Sequence, residues 1–222
     1  YRRQRQMCIR DSIDPFNGMV MAQTGNRIAE QFSITREEAD LFAIESHIRA
    51  HNAHKKGHFK EYHVAVEHEK GILKTDEGIR PNSSVESLSA LKPVFDENGV
   101  VTAGNASQIS DGAAACLVMS RRKAEQLELT PLATVTGYCA TGVDSVDVMS
   151  APIPTVQKLW KMNNREGEKD YDLYEHNEAF ASASLGVMQG LHLKHEKLNV
   201  NGGAVAMGLS LIHISEPTRH EC

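Results

Sequence analysis

A chain of 222 residues that is 41% hydrophobic and 24% charged has enough apolar surface for one or two globular domains. Its formal charge of −5 argues against a general nucleic-acid surface, and it has no run of about 18 apolar residues to span a bilayer. Cys8, Cys116, Cys139 and Cys222 form neither a CxxC pair nor a zinc-like spacing, which favours reduced thiols over a disulfide framework and a cytoplasmic location.

The two ends read as one DNA element. Residues 7–11, MCIRD, are encoded by ATG TGT ATA AGA GAC, and AG begins the serine codon that follows. The reverse complement of that stretch translates as Leu209, Ser210, Leu211, Ile212 and His213, with the first two bases of an isoleucine codon for Ile214. Residues 1–12 and 209–222 therefore resemble a translated sequencing adaptor read from opposite strands, and are expected to be foreign to the fold. Residues 1–12 carry four Arg against one Asp and residues 209–222 one Arg against two Glu, so the remainder bears −7 rather than −5.

Along the remaining segment, residues 35–57 predict a helix. Thr35 and Glu38 have capping-box spacing, Ala39, Phe42, Ala43, Ser46, Ala50 and Ala53 form one stripe, and Gly57 supplies the stop. His47, His51, His54 and His58 recur at helical spacing beside that stripe and read as a solvated face rather than a metal face. A short strand is expected at 63–66 and a long polar loop at 67–89. Small residues from 100 lead into an apolar run ending at 120, in which Cys116 reads as a buried hydrophobe. Helices follow at 121–128 and 155–162, strands at 132–138, 171–175 and 198–200, and a helix at 178–189 with Asn177 as its cap. Strand and helix alternate, which predicts α/β.

Three separated blocks carry a family resemblance: GNASQISDGAAACLVMS at 104–120, HNEAFA at 176–181 and NVNGGAVAMG at 199–208. With SITREEADLFAIESH at 33–47 and DEGIRPNSSVESLSALKPVF at 76–95, they resemble the thiolases over residues 19–208. That likeness implies a layered αβαβα architecture, left incomplete at both ends. Residues 13–109 would supply much of the CoA-binding loop domain, 110–130 the last part of the N-terminal core domain, and 131–208 the start of the C-terminal one.

The resemblance also implies acyl transfer between CoA thioesters, with coenzyme A as substrate and product. No further cofactor and no metal are implied, and the parent is expected to be a homodimer or homotetramer. The partners implied are acyl-CoA and CoA, with no nucleic acid and no membrane. The family's nucleophilic cysteine would precede residue 13, its active-site histidine would stand where this chain has Leu209, and its acid/base cysteine would lie further on. A non-catalytic acyl-CoA or lipid-binding relative is the alternative.

Residue by residue, Asn177 matches the asparagine holding an oxyanion-hole water, with Ala179 and Phe180 as the pocket wall beside it. Phe95, Ala103, Ala106 and Ser107 match positions along the pantetheine arm, Arg80 and Ser87 match positions near the nucleotide end, and Met21 borders the acyl pocket. Gln108 stands where the family has glycine. Plainer readings remain beside these: a helix cap for Asn177, a dipole partner for Glu178, core for Phe180, a turn for Ser107, solvated surface for Arg80 and Ser87.

Overall fold

The computed structural model describes residues 13–14, 16–69 and 71–209. Of the segments expected to be foreign, 1–12 and 210–222 lie outside the described residues, whereas Leu209 lies within them.

The chain opens with helix α1 (Met21–Gln31) and turns through Ser33 into the long helix α2 (Arg36–Lys56). The start of α2 is the expected capping box: Thr35 Oγ1 accepts from the Glu38 amide at 3.2 Å, and Glu38 Oε2 accepts from the Thr35 amide at 2.8 Å. At the other end Gly57 takes φ 77°, and its amide closes onto the carbonyls of Ala53 and His54. Ala39, Phe42, Ala43, Ser46, Ala50 and Ala53 are all buried, so the predicted stripe is the face that packs inward. His47 is buried with them, which corrects its reading as part of a solvated face.

Among the described residues five more α-helices follow: α3 (Val85–Ser89), α4 (Arg121–Gln126), α5 (Pro152–Met162), α6 (Ala181–Leu191) and α7 (Ala204–Met207). Helix α2 is the spine against which α3, α6 and α7 pack, and α6 lies between α1, α2 and α5. One apolar cluster joins Ala39 and Phe42 of α2 to Ala181, Val187 and Leu191 of α6, with Trp160 of α5 and Tyr174 at its edge. A second joins Ala22 and Ile28 of α1 to Val101, Phe180 and Ala183. Close approach of α1 and α6 needs glycine, since a β-carbon on Gly186 would stand 2.7 Å from the Ile28 side chain.

Among the described residues the sheet content is a single antiparallel hairpin, β1 (Val66–His68) with β2 (Gly71–Leu73), Val66 opposite Leu73. The strand expected at 63–66 thus begins where it was expected to end. The strands expected at 171–175 and 198–200 contract to one parallel bridge, Tyr174 with Leu198. Residues 132–138 form no ladder among the described residues, and Leu117, Val118, Leu132, Val135 and Tyr138 are exposed. Cys116 is exposed as well, which corrects its reading as buried. The physical reason is that a strand is stabilised by a neighbour that takes its backbone hydrogen bonds, and residues 132–138 have no such strand beside them among the described residues. The last predicted helix starts three residues late, at Ala181, with Phe180 and not Asn177 at the cap.

Replacing Thr35 by Ala removes the cap that begins the spine and is expected to cost about 1 kcal/mol. Urea unfolding should show a lowered midpoint with an unchanged slope, whereas an unchanged midpoint would show that tertiary packing alone fixes the start of α2.

Candidate acyl-CoA site

The site is built around a carboxyl group with almost no access to water. Glu178 is 1% exposed. Its Oε2 accepts from Ser46 Oγ of α2 at 2.7 Å and from the Val205 amide of α7 at 3.2 Å, and its Oε1 accepts from Asn199 Nδ2 at 2.7 Å. Burial pushes this carboxyl above its ordinary range, against the three donors and the Arg49 charge, which lower it. Asn199 in turn grips the HNEAFA segment from both sides, accepting from the His176 amide at 2.8 Å and donating to its carbonyl at 2.9 Å.

The NGGAVAMG loop rests on the backbone of α2. Gly202 has φ 80°, and a β-carbon there would lie 2.6 Å from the Ala50 nitrogen and the Ser46 carbonyl. On Gly203 a β-carbon would collide with the Glu178 carboxyl. The second of the three blocks is held against the third by Glu178 and Asn199, and the first joins them through the backbone. Ala106 bridges Phe180, the Ser107 amide donates to the Ala179 carbonyl at 2.9 Å, and the Ala181 amide donates to the Asn105 carbonyl at 2.9 Å. Asn105 is itself fixed by Asp40 of α2, whose Oδ1 accepts from its side-chain amide at 2.8 Å.

Beside this framework runs a groove of about 200 Å³, lined by His47, Arg80, Ser87, Ala103, Ala106 and Gln108 together with leucine and valine side chains. It brings together four of the residues expected to contact CoA: Arg80, Ser87, Ala103 and Ala106. Met21, Ala106, Ala179 and Phe180 meet in one apolar cluster at the start of α1. Ala106 belongs to both, lining the groove on one side and packing against the apolar cluster on the other. Asn177 lies next to this wall with its side chain exposed and bonded to no described residue, its carbonyl accepting from the Ala179 amide at 2.9 Å.

Two of the expected residues, Phe95 and Ser107, belong to neither the groove nor the apolar cluster. Phe95 is 68% exposed in a left-handed turn at φ 63°, and Ser107 contributes its backbone to the Ala179 pairing. The Ser87 hydroxyl, though at the groove, is engaged by the cap of α3, accepting from the Ser84 amide at 3.0 Å and donating to its carbonyl at 2.8 Å.

Among the groove residues that sequence reasoning missed, His47 and Gln108 tie separate segments together. His47 Nδ1 accepts from the Arg80 amide at 3.1 Å and so ties the loop that carries Arg80 to α2. The signal existed, since His47 is four residues from Ala43 and three from Ala50, both on the buried stripe. Gln108 Nε2 donates to the Gly78 carbonyl at 2.8 Å and to the Ala206 carbonyl at 3.0 Å, and so spans the groove floor. Leu209 pairs with the backbone of Gln108 and Ser110.

The sequence pattern of the thiolase N-terminal domain matches residues 2–122, and that of the C-terminal domain matches residues 129–212. The chain belongs to the thiolase family. The matched spans extend into both segments expected to be foreign. A probable acetyl-CoA acyltransferase of Staphylococcus aureus (strain bovine RF122 / ET3-1) is 46% identical over 200 residues, covering 88% of this chain and 51% of its own length. Human mitochondrial 3-ketoacyl-CoA thiolase, in its crystal structure with CoA, shares the fold at a TM-score of 0.86 and 38% identity, over 90% of this chain and 50% of that one. Bacillus anthracis acetyl-CoA acetyltransferase gives 0.84 and 38%, over 89% and 51%. This thiolase chain thus spans about half the length of the relatives it matches, and carries a partial thiolase fold of helices and one small sheet. No helix among its described residues is long and apolar enough to cross a membrane.

Two histidines of this thiolase site are held neutral. Burial pushes His176, whose Nδ1 lies 2.9 Å from Ser184 Oγ, from the ordinary 6.5 down to about 4. Burial also lowers His47 to about 4, helped by the Arg80 charge. In both cases the unfolded chain binds the proton better, so the stability they contribute is complete above pH 6.5 and is lost as pH falls through about 4. The urea midpoint should therefore fall steeply over that window. His176→Gln should flatten its share of the slope, worth at most on the order of 3 kcal/mol, and an unchanged profile in the variant would show that His176 is not the group responsible.

Proposed function

We propose that the full-length protein transfers acetyl or acyl groups between CoA thioesters, by thiolysis of a 3-ketoacyl-CoA or by Claisen condensation of acetyl-CoA. The observation that carries this reading is the lining of the groove. Arg80 and Ser87 line it where a cation suits a phosphorylated nucleotide, Ala103 and Ala106 line it with small side chains that leave width for a pantetheine arm, and Ala106 also packs against the apolar cluster that holds Met21, Ala179 and Phe180. Coenzyme A enters as substrate and leaves as product, and no other cofactor takes part. The names of the relatives are those of enzymes, which favours this reading over a non-catalytic acyl-CoA binder. A homodimer or homotetramer in the cytoplasm, serving fatty-acid metabolism, completes the proposal.

Within that reaction Asn177 orients a water that donates to the thioester or enolate oxygen as negative charge gathers there. An exposed amide bonded to no described residue is free for that task, and it caps no helix among the described residues. Neither cysteine among the described residues serves as the nucleophile: Cys116 stands exposed in a segment of small and apolar residues, and the Cys139 thiol donates to the Thr155 carbonyl at 3.3 Å. Incubating the 222-residue chain with acetoacetyl-CoA should leave both unacylated by mass spectrometry, and stable acylation of either would overturn that assignment.

Asn177→Ala in the full-length protein is expected to lower turnover about 100- to 1000-fold, the usual effect of losing one oxyanion donor. Its urea midpoint should match that of the unsubstituted protein. Near-normal turnover would remove Asn177 from the reaction.

A further inference from the structure

The last turn of α2 and the two flanks of the β1–β2 hairpin bring together three side chains that acyl transfer does not use. His54 Nε2 lies 3.0 Å from Asp76 Oδ2, and His63 Nε2 lies 3.7 Å from the same oxygen. All three ligand atoms fall within 4.8 Å of one another. Imidazole nitrogens and a carboxylate oxygen about 2.0 to 2.2 Å from a tetrahedral zinc ion stand roughly 3.3 to 3.5 Å apart. The two separations to Asp76 straddle that value and the third is no more than 4.8 Å, so side-chain rotations that adjust the two imidazoles close the set around one ion.

The rings are not free to scatter. Phe59 packs against both, with its centroid 4.9 Å from that of His54 and 5.7 Å from that of His63, the latter pair stacked at 18°. The two imidazoles are 5.2 Å apart. Two imidazoles with one carboxylate suit zinc-type transition cations, whereas magnesium and calcium prefer all-oxygen sets. Side-chain exposures of 16% for His54 and 33% for His63 and Asp76 leave an approach for the ion and for a water as fourth ligand.

The hairpin has a use for such a clasp. Its strands are three residues each and every residue in them is exposed, so no buried face holds it to the body of the fold. An isolated two-stranded hairpin is marginally stable at best in water. His63 precedes β1 and Asp76 follows β2, while His54 belongs to α2. One ion would tie both ends of the hairpin to the spine, two residues before Gly78, where Gln108 anchors the groove floor.

We propose that His54, His63 and Asp76 together bind one divalent zinc-type cation as a structural clasp at the base of the hairpin. This stands apart from the acyl-transfer reading and is tested without activity. The metal-free 222-residue chain is titrated with Co²⁺ and then Zn²⁺. One equivalent of Co²⁺ should give visible d–d absorption without thiolate charge transfer, and Zn²⁺ should abolish it. In the unsubstituted chain, one equivalent of Zn²⁺ should shift the ring resonances of His54 and His63 in an NMR spectrum. His63→Ala and, separately, Asp76→Asn should lose the absorption while keeping the helical circular dichroism. The proposal fails if no stoichiometric binding occurs, if thiolate bands dominate, if Zn²⁺ leaves those two histidines unmoved, or if both folded variants bind as before.

Discussion

The structure depends on a carboxyl group removed from water. Glu178 is buried among donors from three separate parts of the chain, Ser46 on α2, Asn199 before the glycine loop and the Val205 amide at the start of α7. Burying a carboxyl costs several kcal/mol unless such partners surround it. The arrangement is therefore all or nothing. If one donor leaves, the remaining polar groups are stranded in a dry interior, so loop, helix and HNEAFA segment hold their places together or not at all. This network need not add net stability over an apolar packing of the same volume, but it specifies a single arrangement.

Helix α2 serves as a rail along which the other parts register. Its small residues let two different backbones approach, that of α6 near Ala39 and that of the glycine loop near Ala50. Its polar residues then select what binds: Asp40 takes Asn105, Ser46 takes Glu178, and His47 takes the Arg80 amide. Each of these lies on the buried side, where a hydrogen bond is both stronger and more costly to leave unmade than at the surface. The groove forms between the segments so positioned.

Helices were legible in the sequence because their signals are local. The capping box at Thr35 and Glu38, the stripe from Ala39 to Ala53 and the stop at Gly57 fall within one element and match the structure. Strands were less legible because a strand exists by virtue of its neighbour. Residues 132–138 have the composition of a strand and yet pair with nothing among the described residues. At the site, small and apolar residues such as Ala103, Ala106 and Phe180 were placed by family likeness, while the polar ties of His47 and Gln108 were not. The partners of those two residues are 33 and 30 residues away or further, a relation that periodicity does not carry. Asn177 shows the converse: a local cap signal pointed to one role, and the backbone began the helix at Ala181 instead.

Gly202 and Ala50 meet with no space between them, since a β-carbon on the glycine would stand 2.7 Å from that of the alanine. Over evolutionary time two such positions do not drift independently. A larger residue at either forces the loop off the helix, and shrinking Ala50 to glycine makes room only by weakening the spine by about 1 kcal/mol. Compensating pairs of substitutions are therefore closed to this contact, and the two residues are expected to persist as a small-on-small pair wherever the loop keeps its seat.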